Sequence, residues 1–204
     1  KYFVLGAFAS AFLLLGSALL YGLSGSVSYT SIATRLAAGG GADVIDMDWL
    51  GLAGVALVTV GLLFKTAAAP FHAWSPDVYQ GAPTPVTGFM AAGVKATAFL
   101  ALVRFYYTVG GSYGWDMAPF LWTVAIVTMV VGTVVGVVQT DVKRMLAYSA
   151  IAHAGYMLIG IIALNGVAIS ALLLYALAYG AATVGAFGVI TLVRVGRDGA
   201  VGAE

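Results

Sequence analysis

Four basic side chains lie inside or beside long apolar stretches of this sequence: Lys65, His72, Lys95 and His153. A charge at the centre of a membrane costs about 2.5–3.5 kcal/mol on insertion scales, so such residues normally face protein or water. Lysine and histidine both bind and release protons, and histidine does so near neutral pH. The sequence therefore predicts a route for protons or ions. The simpler alternative is lysines that reach the interface, or polar groups that only hold helices together.

Pro70 predicts a break in the helix that carries Lys65. Proline has no N–H, and its ring clashes with the carbonyl four residues earlier, which here belongs to Thr66. Irregular backbone survives at membrane depth only where protein or water satisfies it. A discontinuous helix beside a charge is typical of an ion pathway. We therefore group Thr66, Pro70 and His72 with Lys65 as candidate site residues.

Lys95 is predicted to lie near the middle of its span. It is the eleventh residue counted from Pro85, which places it about 15 Å along a helix that starts there. Burial disfavours the ammonium, whereas a nearby carboxylate favours it, and a group balanced between the two can load and release a proton. The alternative is a static ion pair with an acid on a helix outside this chain.

His153 lies on a predicted polar stripe. Ser149, His153 and Tyr156 follow the spacing i, i+4 and i+7, which is one face of a helix. The next helix repeats the pattern with Tyr175 and Tyr179. Two facing stripes could hold a file of water, although hydrogen bonds that only join the helices remain an equal alternative.

Composition indicates the class of protein that holds these residues. Of the 204 residues, 62% are apolar and 8% are charged, and the net charge is +1. An ordinary soluble domain has about 25% charged residues, so a soluble enzyme and a nucleic-acid-binding protein are both disfavoured. There is no cysteine, which excludes disulfides and thiolate-bound clusters. Two distant histidines make no metal site, and no nucleotide-binding glycine pattern is present, so we expect no cofactor in this chain.

The apolar runs predict an all-α polytopic membrane protein with six spans. A membrane helix needs about 20 apolar residues. The predicted spans are 2–23, 49–74, 85–108, 117–138, 143–163 and 168–193, and the second is the one predicted to be discontinuous near Pro70. The chain starts on Lys1 beside an apolar run, and we expect it to be part of a longer protein.

The basic residues predict the orientation of the spans. One side of the membrane receives five basic residues: Lys1, Lys143, Arg144, Arg194 and Arg197. The other side receives Arg35 and Arg104. Loops rich in lysine and arginine face the cytoplasm, so the first side is predicted to be cytoplasmic.

Two stretches resemble a known family. Residues 64–86, which include the run PDVYQGAPTPV, and residues 139–156, QTDVKRMLAYSAIAHAGY, resemble the antiporter-like membrane subunits of respiratory complex I, the NADH–quinone oxidoreductase. Within that family the wording is most similar to the subunit N branch. The resemblance implies inverted five-helix repeats, with 1–108 ending the first repeat and 109–204 beginning the second.

The same resemblance implies roles for the candidate residues. Lys65 would be the lysine of the broken helix, Lys95 the central lysine and His153 a proton-conducting histidine of the second repeat. The acidic partner of Lys65 and a second broken helix would lie outside this chain.

The resemblance also implies the setting of the chain. It would be a proton-translocating subunit in the bacterial inner membrane, packed against antiporter-like neighbours, small membrane subunits and lipid, with no nucleic acid. FMN, iron–sulfur clusters, NADH and quinone would bind to other subunits. Two alternatives remain open: a subunit of a multi-subunit sodium/proton antiporter, and a purely scaffolding membrane subunit.

Overall fold

The computed structural model describes residues 2–38 and 47–201, with side chains from 2 to 38 and from 49 to 193. The helices of these ranges are α1 Tyr2–Ser24, α2 Tyr29–Ala37, α3 Met47–Thr66, α4 Trp74–Gly81, α5 Thr84–Phe89, α6 Lys95–Thr108, α7 Gly114–Val137, α8 Val142–Ile162 and α9 Gly166–Val201. A π-helical turn, Met90–Val94, joins α5 to α6. A 3₁₀ turn, Gly110–Tyr113, leads into α7.

Six of the described helical segments are long and apolar enough to cross a membrane, which confirms the predicted number of spans. They are Tyr2–Ser24, Trp49–Thr66, Thr84–Thr108, Gly110–Val137, Val142–Ile162 and Gly166–Val193. The predicted end of the second span at 74 was wrong, because the helix stops at Thr66. The predicted start of the fourth at 117 was too late. Asp116 lies in the first turn of α7, where an acidic side chain suits the helix dipole.

Side chains at the helix ends explain where three helices begin. The Asp141 carboxylate accepts a hydrogen bond from the backbone N–H of Arg144 at 2.8 Å and caps α8. The Asn165 side chain accepts from the N–H of Ala168 at 2.8 Å and caps α9. Pro85 lies in the first turn of α5, where its missing N–H costs nothing.

Contacts between side chains show which helix termini lie close together. At one end the Tyr2 ring lies 5.2 Å from the Trp74 ring, and Lys143 donates to the Ala82 carbonyl at 2.6 Å. At the other end Arg104 lies 5.9 Å from the centre of the Tyr29 ring. Lys143 therefore shares an end with the start of α1. The side chains of Lys1, Arg194 and Arg197 lie outside the described residues.

Glycines allow two helix pairs to pack backbone against backbone. A Cβ at Gly132 of α7 would lie 2.7 Å from the Cα of Ala152 in α8. A Cβ at Gly16 of α1 would lie 2.8 Å from the Gly54 carbonyl oxygen in α3. Both distances are too short for a real side-chain carbon. Close approach through small residues is how membrane helices associate without a hydrophobic driving force.

We expect Gly132→Ala to destabilise the full-length protein by about 1–3 kcal/mol, because the added methyl group forces α7 and α8 apart. The matched control is Gly185→Ala, since a Cβ at that position meets no atom within 4 Å. Thermal unfolding of the detergent-solubilised protein measures the difference. Equal melting temperatures for the two variants would contradict this packing.

Candidate functional site

The helix that carries Lys65 ends one residue later, at a left-handed turn. Ala67 has φ +60°, its N–H donates to the Phe64 carbonyl at 3.1 Å, and the Ala68 N–H donates to the Leu63 carbonyl at 3.1 Å. This pair of bonds is a Schellman motif, which closes a helix end. The predicted discontinuity is confirmed, and it is a full break between Thr66 and Trp74. The helix ends before it could meet the ring of Pro70.

Lys65 lies in the last turn of α3. A cation is favoured at that position because the carbonyl end of a helix carries partial negative charge. The Lys65 side chain is half-buried, and no carboxylate of the described residues forms an ion pair with it. Within the described part of the chain, the end of α3 thus places partial negative charge close to Lys65.

Polar groups from elsewhere in the fold bind the backbone of the break. The Trp74 indole N–H donates to the Phe64 carbonyl at 2.9 Å. The Ala69 N–H donates to the Thr128 hydroxyl of α7 at 2.9 Å. Thr66 turns its own hydroxyl onto the Leu63 carbonyl at 2.9 Å. These bonds meet the requirement that irregular backbone inside a membrane be satisfied by protein.

His72 lies within the break, and its ring centre is 6.5 Å from that of Tyr148. Its Nδ1 atom is buried and has no hydrogen-bond partner among the described residues. A buried ring nitrogen without a partner is available to water or to a side chain outside this chain.

Lys95 is the first residue of α6, directly after the π-helical turn, and is only 4% exposed. Its ammonium group donates to the backbone carbonyl of Ala150 in α8. A π-helical turn is frequently found at functional sites. Ala91 and Phe99, one turn before and one turn after Lys95, are fully buried. Lys95 is therefore a buried cation whose acceptor, among the described residues, is a backbone carbonyl.

His153 lies one turn after Ala150 on α8. Its Nδ1 forms a hydrogen bond with the Tyr175 hydroxyl of α9. The Tyr179 ring centre is 4.3 Å from that of the imidazole, and the Tyr156 ring centre is 5.8 Å away. Helix α8 thus links Lys95, through Ala150, to the surroundings of His153.

A cleft of about 410 Å³ opens between α8 and α9 beside His153. Its polar lining consists of Ser149, His153, Tyr175, Tyr179 and Thr183. The two predicted stripes therefore face each other. Tyr156 is 47% exposed and contacts His153 from outside this lining, so the stripe predicted for it extends beyond the cleft.

Two features of the site could not be located from the sequence. Thr128 is an isolated hydroxyl in an apolar span, and only the fold brings it to the break. Arg144 gave only an orientation signal in the sequence. In the structure it binds the Asp77 carboxylate at 2.9 Å, Gln80 at 3.1 Å and Gln139 at 3.2 Å. Opposite charges on one predicted side of the membrane were the available hint for the Arg144–Asp77 pair.

The residues of the site come from two halves of the described chain. Lys65, His72 and Lys95 lie before the 3₁₀ turn, and His153 and Tyr175 lie after it. No group of three histidine or acidic residues suited to a metal ion occurs among the described residues. The chemistry that this set of side chains can perform is the binding and release of protons.

The family model described as "NADH:quinone oxidoreductase/Mrp antiporter, TM" matches residues 1–200. The chain belongs to this family. The match covers both stretches on which the resemblance was based, and the six membrane helices agree with a transmembrane family.

Individual relatives agree with the family assignment. A NADH-quinone oxidoreductase subunit N from Beutenbergia cavernae is 57% identical over 196 residues, covering 95% of this chain and 36% of the relative. A chain of respiratory complex I from Thermus thermophilus is 42% identical with a TM-score of 0.73, covering 94% of this chain and 39% of that one. A chain of the Mrp complex from a Dietzia species is 25% identical with a TM-score of 0.80, covering 95% and 34%. The chain thus spans little more than a third of the length of these relatives.

We expect Ala67→Gly to leave the full-length protein more stable than Ala68→Gly by about 1–2 kcal/mol. Left-handed backbone costs a non-glycine residue about that much, and glycine at 67 relieves it. Ala68 is the matched control, because it is equally buried but does not have positive φ. Both variants lose one buried methyl group and gain chain entropy in the unfolded state, so these effects cancel in the comparison. Thermal unfolding measures the difference, and equal melting temperatures would show that the turn at Ala67 is not left-handed.

Proposed function

We propose that this chain is part of a proton-translocating membrane subunit of a NADH–quinone oxidoreductase. The observation that carries the proposal is the buried Lys95 ammonium on the Ala150 carbonyl, one helical turn from His153. The name of the Beutenbergia relative, NADH-quinone oxidoreductase subunit N, and the match to a chain of complex I support it. The chain itself would hold no redox centre.

Protons would move among Lys65, Lys95 and His153 along ordered water. Lys65 would take part from the end of α3, where the carbonyl end of the helix carries partial negative charge. Like charges in a low-dielectric interior repel each other, so a change of charge at Lys65 would alter how readily Lys95 holds its proton. The carbonyl of Ala150 holds the Lys95 ammonium in place. His153, bonded to Tyr175, is the relay beyond Lys95.

The remaining candidate residues would support this route. Thr66 and Pro70 shape the break, and His72 offers a buried ring nitrogen beside it. Ser149, Tyr175 and Tyr179 line the cleft where water would collect, and Tyr156 packs on His153. Residues 1–108 would end one antiporter-like repeat and 109–204 would begin the next.

The energy would come from reactions in other subunits. FMN, iron–sulfur clusters, NADH and quinone would all bind outside this chain. Its partners would be antiporter-like neighbours, small membrane subunits and lipid. The protein would reside in the bacterial inner membrane, with Lys1, Lys143, Arg144, Arg194 and Arg197 on the cytoplasmic side.

The second candidate function is a subunit of a multi-subunit sodium/proton antiporter. The match to a chain of the Mrp complex, with a TM-score of 0.80, favours it. Lys65 and Lys95 would keep their roles, but the energy would come from an ion gradient. The higher sequence identity to the complex I relatives favours the first proposal.

Purification of the tagged full-length protein in mild detergent separates the two functions. The first proposal expects a large assembly that oxidises NADH and shows flavin and iron–sulfur absorption. A colourless eluate that does not oxidise NADH, but exchanges sodium for protons in vesicles, would replace it with the antiporter.

We expect Lys65→Ala and Lys95→Ala each to lower NADH-driven proton pumping and coupled quinone reduction by about tenfold or more, as expected when a proton-transfer group is removed. Assembly should stay largely intact. The control is Arg104→Gln, which removes an exposed cation from the same helix as Lys95. Proton uptake by vesicles containing the purified complex measures the effect. Normal pumping by both lysine variants would refute the proposed roles.

A further inference from the structure

Thr128 is the one described side chain of α7 that bonds to the backbone of the break. Its hydroxyl donates to the Val124 carbonyl of its own helix. The hydroxyl oxygen is thereby oriented to accept the Ala69 N–H at 2.9 Å. Thr128 and Ala69 are both fully buried. Because Ala69 lies outside any helix, its N–H has no helical carbonyl to bind.

The hydroxyl of Thr128 is fixed relative to α8 as well as α7. A Cβ at Gly155 of α8 would lie 2.9 Å from the carbonyl oxygen of Ala125, just before Thr128 in α7. Gly132, just after Thr128, is in equally close contact with Ala152. The two backbones therefore touch on both sides of Thr128. A shift of α7 toward α8 at this level would create a clash, so the position of each helix restricts that of the other.

The helix that packs on α7 is α8, which provides the hydrogen-bond acceptor of Lys95. Ala150 of α8 accepts the hydrogen bond of the Lys95 ammonium, and His153 lies one turn further along. Lys65 lies four residues before Ala69, at the edge of the break. The bond from Ala69 to Thr128 therefore joins the segment next to Lys65 to the α7–α8 pair, which carries His153 and the acceptor of Lys95.

The other described ties to the broken segment act elsewhere. Trp74 binds the Phe64 carbonyl, and both residues belong to the first half of the chain. Arg144 binds Asp77, which lies beyond the break in α4. Inside the break, the His72 ring packs 6.5 Å from the Tyr148 ring of α8, and the Thr128 bond is the described hydrogen bond that joins the break to α7.

We propose that Thr128 is a positioning residue for proton transfer, whose hydroxyl holds the broken segment in register with the helix that carries His153 and the acceptor of Lys95. The inference rests on the proposed function of the lysines. A small displacement of a proton donor from its acceptor slows transfer strongly. Loss of the hydroxyl would free the break and lengthen the path between Lys65 and Lys95.

The test is Thr128→Val in the full-length subunit within the assembled complex, with Thr128→Ser as the rescue. Thr59→Val is the matched control, because Thr59 is also fully buried but its hydroxyl binds the Val55 carbonyl of its own helix. Thr128→Val should lower proton pumping and coupled quinone reduction by about tenfold, with the KM for NADH unchanged. Thr128→Ser should recover most of the rate, and Thr59→Val should keep it.

Hydrogen exchange supplies a readout that does not depend on activity. The amide of Ala69 should exchange about tenfold faster in Thr128→Val than in the wild type or Thr59→Val, because it loses its acceptor. If Thr128→Val does not assemble, Thr128→Ala, which removes the hydroxyl with less bulk, takes its place.

Three results would each overturn the inference: normal pumping in the hydroxyl-free variant, a loss no larger than that of Thr59→Val, or unchanged exchange of the Ala69 amide. Failure of this inference is separable from failure of the proposed function. If Lys65→Ala and Lys95→Ala lose pumping while Thr128→Val does not, only the role of Thr128 falls. If the lysine variants pump normally, the proposed function falls first.

Discussion

The most demanding constraint in this structure is the burial of one lysine side chain, Lys95, in an apolar helix bundle. Transfer of an unpaired charge from water into such an interior is very costly. In this chain the Lys95 ammonium donates a hydrogen bond to the Ala150 carbonyl. No acidic residue in the described part of the chain forms an ion pair with it. A neutral acceptor stabilises the cation less than a carboxylate does. Lys95 is thus buried against a neutral acceptor, without an ion-pair partner among the described residues.

The acceptor of Lys95 lies on a helix that packs closely against its neighbour. The acceptor is a backbone atom, so its position is set by the position of α8. Gly132 and Gly155 allow α8 to lie against α7, and α7 in turn binds the break through Thr128. Two irregular elements, the break after Lys65 and the π-helical turn before Lys95, are therefore attached to one closely packed helix pair. Regular helix packing thus supports the irregular backbone next to both lysines.

Much of this could be predicted from the sequence, because the bilayer imposes simple rules. Span lengths follow from the thickness of the hydrocarbon layer, and Pro70 indicated the break from its missing N–H. The helical period placed Tyr175 opposite His153. The structure adds what depends on distant residues. Nothing local indicates that Ala67, rather than a glycine, takes the left-handed conformation. The partner of Ala69 lies 59 residues away at Thr128, and sequence spacing carries no information about that contact.

The central claim is that Lys65, Lys95 and His153 form one connected proton route. A high-resolution structure of the assembled NADH–quinone oxidoreductase, determined at rest and during turnover, tests it most directly. The predicted result is a chain of ordered waters that joins the three side chains, each within hydrogen-bonding distance of the next, in at least one of the two states. Dry apolar packing between Lys95 and both of the other residues in both states would contradict it.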